Sequence, residues 1–147
     1  MRALFILALS LGVSGAASAA DLTDIAGKWR TIDDETNKPK SIVEITKVGE
    51  AYEGKVVQLF REPTQDQNPK CDKCKDERKD QPILGLKIID SLKKRESDWG
   101  EGNILDPNNG KTYDVKMELT EGGQRLKVRG FLGFSLLGRT QTWERAN

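Results

Sequence analysis

The chain has 147 residues, which suits a single domain with one hydrophobic core. Its 24 lysine and arginine residues nearly balance its 23 aspartate and glutamate residues, so the basic excess of a nucleic-acid-binding protein is absent. The sequence contains no histidine, which removes Ser-His and Cys-His nucleophilic catalysis, imidazole general-base chemistry and most zinc sites. We therefore expect a protein that is not an enzyme and has no catalytic residues, no cofactor and no metal site.

Residues 1–20 have the composition of a secretory signal peptide. An arginine follows the first methionine, residues 3–13 are apolar, and the segment ends in small residues typical of a cleavage site. The apolar run is too short to span a bilayer, and no later segment approaches the ~20 apolar residues that a transmembrane helix needs. We therefore expect cleavage near Ala19 or Ala20, export to the periplasm, and one domain over residues 21–147 without a transmembrane segment.

After the leader, apolar and polar residues alternate and turn signals recur at short intervals, a pattern typical of antiparallel strands. Eight strands are predicted over Gly27–Asp33, Ser41–Val48, Ala51–Phe60, Ile83–Ile89, Trp99–Leu105, Lys111–Leu119, Arg125–Phe131 and Gly138–Arg145. Residues 90–98 are interpreted as containing a helical turn, and the acidic run Asp33-Asp34-Glu35 as a surface turn. Eight strands with short connections can close on themselves and leave no sheet edge exposed. The sequence thus predicts an all-β fold, an eight-stranded antiparallel up-and-down barrel.

The ends of the strand pattern carry a second architectural signal. Trp29 lies in the first predicted strand, and the last predicted strand carries arginines. A small barrel needs such a pair where its ends meet. The indole covers one end of the barrel, and a guanidinium can stack on its face and donate to nearby carbonyls.

One long connection, residues 61–81, contains both cysteines of the chain, Cys71 and Cys74. In an exported protein the default is a disulfide, which would pin the tip of this connection. A thiol redox pair is the functional alternative, but such a pair normally lies at a strand-to-helix junction, whereas six charged residues follow here. A metal site would lack a second Cys or His pair to complete four ligands. The structural disulfide is the favoured interpretation.

The segment Phe131–Gly138 is apolar and glycine-rich where a polar turn is expected. It either tucks over one barrel end as part of the core, or forms an apolar lip that contacts a ligand, a membrane or a partner. Aromatic residues elsewhere could line a cavity, although in a small barrel they more often fill the interior. The candidate ligand-binding residues are Phe131, Phe134, Leu136, Tyr52 and Tyr113.

Together these motifs resemble an exported bacterial family known as the domain of unknown function 2147. The matching residues are Gly27-Lys28-Trp29, Ser41-Ile42-Val43-Glu44-Ile45, Cys71-Asp72-Lys73-Cys74, Pro82-Ile83-Leu84-Gly85-Leu86, Ile104-Leu105-Asp106-Pro107, Gly110-Lys111-Thr112-Tyr113, Val128-Arg129-Gly130-Phe131 and Gly138-Arg139-Thr140-Gln141-Thr142-Trp143. The resemblance covers nearly all of the predicted mature chain. It implies a periplasmic, lipocalin-like barrel of the calycin type, closed at one end by Trp29 with Arg139 or Arg145. The family implies no established activity or catalytic residues.

Three functional hypotheses follow from these patterns. The first is a non-enzymatic barrel that binds a small, partly apolar ligand at its mouth, or failing that a protein partner. The second is a periplasmic thiol oxidoreductase that uses Cys71 and Cys74. The third is an inhibitor or scaffold whose apolar segment docks an envelope protein.

Overall fold

The computed structural model describes residues 21–133 and 137–146, together with Gly12 and Gly15. Its strands form one closed barrel in which each strand pairs with its neighbours in chain order. The strands are β1 (Gly27–Ile32), β2 (Pro39–Val48), β3 (Ala51–Leu59), β4 (Lys87–Lys94), β5 (Trp99–Asp106), β6 (Lys111–Thr120), β7 (Arg125–Phe131) and β8 (Gly138–Ala146). All adjacent pairs are antiparallel, including β1 with β8. The predicted eight-stranded up-and-down barrel is confirmed.

The fourth strand is the element for which the sequence prediction was wrong. The pattern favoured a strand over 83–89 and a helical turn within 90–98, but β4 runs from Lys87 to Lys94. Gly85 has a φ of 89° and belongs to the preceding turn. Within β4, Ser91 has a positive φ of 56°, and the pairing with β3 shifts by one residue nearby. This irregularity breaks the period-2 pattern, because a bulge changes which face the following side chains take.

The two ends of the barrel are built differently. At the closed end lie the short β2–β3, β4–β5 and β6–β7 turns, and the β6–β7 turn contains a 3₁₀ turn at Glu121–Gly123. The segment before β1 packs against this end, with Ile25 fully buried and bonded through its carbonyl to the Trp29 indole. At the open end lie the other four connections, including the long one between β3 and β4. Within 21–133 and 137–146, no helix is long and apolar enough to cross a membrane.

The hydrophobic core fills the interior of the barrel. Large buried side chains alternate along the strands with exposed ones, as expected for a sheet with one dry and one wet face. The most deeply buried large side chains are Trp29, Ile45, Tyr52, Ile89, Leu92, Met117 and Leu126.

The long β3–β4 connection is held together by the predicted disulfide between Cys71 and Cys74. Both cysteines are buried and belong to the hydrophobic core cluster. Cys71 also exchanges backbone hydrogen bonds with the returning chain, donating to Gln81 and accepting from Asp80, each at 2.8 Å. The connection packs against the β5–β6 turn at Gly110, whose φ is 73° and whose missing Cβ would overlap the Lys73 carbonyl. The disulfide loop is therefore held against the β5–β6 turn.

Candidate functional site

The open end of the barrel contains a cavity of about 510 Å³. The connections of that end and the inward faces of the strands below them form its wall. The deeper part of the wall is apolar and includes Val56, Ile88, Ile104, Leu105, Val128 and Trp143. The rim is charged and includes Asp33, Asp34, Lys40, Arg61, Asp106 and Arg139. Such a combination suits a molecule that is apolar along its body and polar at one end.

A glycine on β7 helps to keep this cavity open. Gly130 pairs with Val115, which is buried, so both positions face the interior. A Cβ built at Gly130 would have its nearest neighbour, the Cβ of Tyr113, at 3.5 Å, an ordinary contact distance. The position therefore has room for a side chain that the sequence does not place there. That unfilled room is part of the cavity.

A chain of hydrogen bonds joins the cavity wall to the rim along β8. The Trp143 indole Nε1 donates to Gln141 Oε1 at 3.1 Å, and Gln141 Nε2 donates to Asp34 Oδ2 at 3.2 Å. The same Asp34 oxygen accepts from Arg139 Nε at 2.5 Å, and the Arg139 Nη2 forms an ion pair with it. The side chains of Arg139 and Asp34 are 62% and 40% exposed, so this pair lies in contact with water at the mouth.

Two further polar contacts involve residues of the cavity wall. The hydroxyl groups of Thr31 and Ser41 lie 2.6 Å apart and are both nearly buried, so they satisfy each other's hydrogen-bonding needs. The phenol oxygen of Tyr113 accepts a hydrogen bond from Asn109 Nδ2 at 2.9 Å. The structure thus places Tyr113, one of the predicted ligand-binding residues, in the wall of the cavity.

The opposite end is sealed by the predicted tryptophan and arginine. The Arg145 guanidinium lies over the Trp29 ring at 4.3 Å from the ring centre. It also donates from Nε to the Gly123 carbonyl at 2.8 Å and from Nη2 to the Asp24 carbonyl at 2.9 Å. Burial lowers the pKa of Arg145, but the guanidinium stays charged because arginine side chains do not lose their proton in proteins. Of the two arginines that the sequence offered as partners of Trp29, Arg145 takes this position, whereas Arg139 lies at the open end.

Tyr52, another predicted ligand-binding residue, lies at the closed end rather than in the mouth. Its ring is fully buried and meets Trp99 edge-on, with the two ring centres 6.4 Å apart. Its hydroxyl donates to Asp24 Oδ2 at 3.0 Å. Burial is the main reason why the pKa of the Tyr52 phenol is raised above its ordinary value. Tyr52 is therefore part of the filled core.

The apolar segment after β7 is only partly described. Phe131 pairs with Asp114 and faces the outside of the barrel, where the Lys116 ammonium lies 6.0 Å from its ring centre. Phe134 and Leu136, the other two candidates in this segment, lie outside the described residues. Their described neighbours Leu132 and Leu137 line the cavity mouth and are 53% and 75% exposed.

Sequence reasoning offered Trp143 among the aromatic residues that could line a cavity, but it missed Asp34 and Gln141. A signal for Gln141 was present, because residues 139, 141, 143 and 145 alternate along β8 and therefore share its inward face. Asp34 carried no such signal, because its contact with Arg139 joins residues far apart in the chain. The acidic run looked like an ordinary surface turn, and the turn geometry is indeed local, with Asp33 Oδ1 accepting from the amides of Glu35 and Thr36.

The cysteine pair offers no accessible thiol. Cys71 and Cys74 are bonded to each other and are 0% and 2% exposed. Thiol–disulfide exchange requires a thiolate to approach one sulfur, so a buried disulfide favours the structural interpretation over the redox one.

The barrel, with one end sealed by tryptophan and arginine and the other open to a cavity, is of the lipocalin-like class. Its fold is similar to that of protein HP1028 from the human pathogen Helicobacter pylori, described as belonging to the lipocalin family. The TM-score is 0.71 and the sequence identity 18%, over 85% of this chain and 84% of that chain, so the likeness is one of fold. The chain belongs to the family described as uncharacterized protein conserved in bacteria (DUF2147), which matches residues 27–145. No curated protein matches the chain in sequence.

Proposed function

We propose that this protein is an exported, non-enzymatic binding protein that holds one small, partly apolar molecule in the open-end cavity. The observation that carries the proposal is the cavity itself, about 510 Å³ with an apolar wall and a charged rim. Sites for small molecules usually enclose about 300–1,000 Å³ and combine apolar walls with a few polar groups. The lipocalin-like fold supports this role, because eight-stranded barrels of this class can hold one small ligand inside.

Export to the periplasm is part of the proposal. The leader composition of residues 1–20 supports it. The Cys71–Cys74 disulfide supports it as well, since disulfides persist in oxidising compartments such as the periplasm. Both features agree with a protein that meets its ligand outside the cytoplasm.

A cavity-filling substitution tests the binding site directly. Gly130→Phe would place an aromatic ring in the cavity, at a position where a Cβ meets no close contact. The neutral apolar dye N-phenyl-1-naphthylamine serves as the probe, because its fluorescence rises in an apolar site. We expect wild-type protein to bind one dye molecule. Gly130→Phe should bind the dye at least about tenfold more weakly, because the loss of a few apolar contacts with the dye is enough to raise its Kd tenfold.

The matched control is Thr142→Phe, which adds the same ring to the exposed outer face of the adjacent strand β8. This variant should bind the dye like wild type. Circular dichroism of both variants checks that the barrel is formed. Equal dye binding by wild type and a folded Gly130→Phe would contradict the proposed site.

A further inference from the structure

We infer that the ligand of the open-end cavity is an amphipathic carboxylate, whose charged head takes the place on Arg139 and Gln141 that Asp34 now occupies. This inference rests on the proposed function and adds the chemical class of the ligand. It also gives Asp34 a role as an internal competitor, a carboxylate of the protein itself that covers the site when no ligand is bound.

The first step of the argument is the orientation of Gln141. A tryptophan N–H can only donate, so the atom of Gln141 that faces Trp143 Nε1 at 3.1 Å must be the amide oxygen. The amide NH₂ group therefore points the other way, toward the rim, where it donates to Asp34 at 3.2 Å. A buried indole thus holds a hydrogen-bond donor toward the mouth.

The second step is that all the donors lie on one regular strand. Arg139 and Gln141 belong to β8, which is paired with β7 in continuous register from Phe131↔Gly138 to Arg125↔Glu144. Asp34, the acceptor, belongs to the turn after β1. The strand pairing fixes the backbone position of the two donors, whereas the acceptor lies outside the sheet. The part of the site that the sheet fixes consists of hydrogen-bond donors, so it recognises an oxyanion rather than a cation.

The third step is that Asp34 can be replaced. One of its oxygens accepts the bonds from Arg139 and Gln141, and both members of the ion pair are substantially exposed. Water screens an ion pair of this kind, so its net stabilisation is small. A free carboxylate can make the same charge-assisted bonds and use its second oxygen as well.

The other carboxylates of the rim are engaged by their own turns. Asp33 Oδ1 accepts from two backbone amides of the β1–β2 turn, and Asp106 Oδ1 accepts from the amide of Asn108 at 2.9 Å. Asp34 is the rim carboxylate that reaches the inward face of β8. The cavity wall also includes Trp143, Val128 and Ile104, which are apolar and suit a hydrocarbon body.

The test compares probes that share a chain and differ in the head group. Decanoate, decanol and decyltrimethylammonium are each used to displace N-phenyl-1-naphthylamine from the full mature protein. We expect decanoate to displace the dye at the lowest concentration, and added salt to weaken decanoate but not decanol. Asp34→Asn should strengthen decanoate binding about fivefold by removing the competing charge, and Arg139→Gln should abolish the preference for decanoate over decanol. Both variants are judged on the ratio of decanoate affinity to decanol affinity.

Glu35→Gln is the matched control, because it removes the same charge from the neighbouring position of the same exposed turn. It should leave the decanoate preference as in wild type. If the dye and decanol bind but decanoate has no advantage in wild type or in Asp34→Asn, the inference fails while the proposed function stands. A preference for decyltrimethylammonium, or an equal effect of Glu35→Gln, would also overturn it. If the dye and all three probes fail to bind, the proposed function itself fails.

Discussion

Arg145 and Arg139 lie six residues apart on the inward face of the same strand, and their surroundings differ in every respect. Arg145 stacks on Trp29 and donates to the carbonyls of Gly123 and Asp24, groups of the backbone that no solute can displace. Arg139 bonds to the carboxylate of Asp34 in contact with water. The same residue type therefore seals one end of the barrel and offers a replaceable contact at the other.

The interior of the barrel shows the same contrast. Toward the closed end, Trp29, Tyr52 and Trp99 fill the space between the strands and are at most 4% exposed. Toward the open end, Gly130 contributes no side chain, and a cavity remains above Trp143. We therefore expect stability to be concentrated at the closed end, with the open end available for binding.

The largest expected effect comes from the closed end. Trp29→Ala should lower the free energy of unfolding by about 3–5 kcal/mol, because it removes a fully buried indole from a closely packed region. Trp143→Ala should cost less, since the Trp143 ring borders the cavity on one side. Urea unfolding followed by far-UV circular dichroism measures both values. Equal losses in the free energy of unfolding in the two variants would show that the closed end is not more tightly packed than the open end.

The two arginines provide a matched pair for the second prediction. Arg145→Gln should lower the free energy of unfolding by about 1.5–3 kcal/mol, because two carbonyls lose charged donors and Trp29 loses its stacking partner. Arg139→Gln should change it by less than about 1 kcal/mol, since it breaks only an exposed ion pair. Both variants are compared with wild type by urea unfolding. A loss in Arg139→Gln as large as that in Arg145→Gln would show that the open end is also structural.

Removing the disulfide should weaken the open end in particular. For a loop this short, replacing both Cys71 and Cys74 by alanine should cost about 2 kcal/mol on the chain-entropy account. Trypsin should then cut first within residues 70–79, which contain four lysines and one arginine, while the closed end stays protected. Mass spectrometry of the early fragments locates the first cuts. First cleavage at the closed end would contradict the proposed division of stability.

The smallest expected effect is a pH dependence at the disulfide loop. Hydrogen bonds from Arg78 lower the pKa of Asp76 to about 2, from an ordinary value of 3.8. A carboxyl whose pKa is lowered by folding stabilises the fold above its unfolded pKa, and this contribution is lost as the pH falls from 3.8 through 2. Asp76→Asn should therefore reduce the loss of stability over that range. The change should be small because both side chains touch water, although Arg78 also bonds to the Lys87 carbonyl at 3.1 Å.

Urea unfolding of wild type and Asp76→Asn at pH 5, 3 and 2 measures this difference. Glu77→Gln, a neighbouring exposed carboxylate with the same charge, is the control and should behave as wild type. Identical pH profiles for wild type and Asp76→Asn would show that the ion pair does not couple the loop to the barrel.

Local patterns determined most of the fold. Alternation of apolar and polar residues located seven of the eight strands to within two residues at each end, because a strand with one buried face repeats every second residue. The same pattern failed at β4, where the irregular backbone at Ser91 interrupts the period. The sequence also predicted the pairing of the tryptophan in the first strand with an arginine in the last. This was possible because chain order makes those two strands neighbours when the barrel closes.

The chain alone thus determined an all-β protein with a disulfide-pinned connection and a tryptophan–arginine seal. Only the tertiary structure decided which arginine forms that seal, that Tyr52 lies in the core while Tyr113 lies in the cavity wall, and that Asp34 reaches Arg139 and Gln141. The physical reason is that periodicity records which face of a strand a residue takes. Its height along the barrel, and the distant turn that it meets there, depend on strand register and closure, which local sequence does not encode.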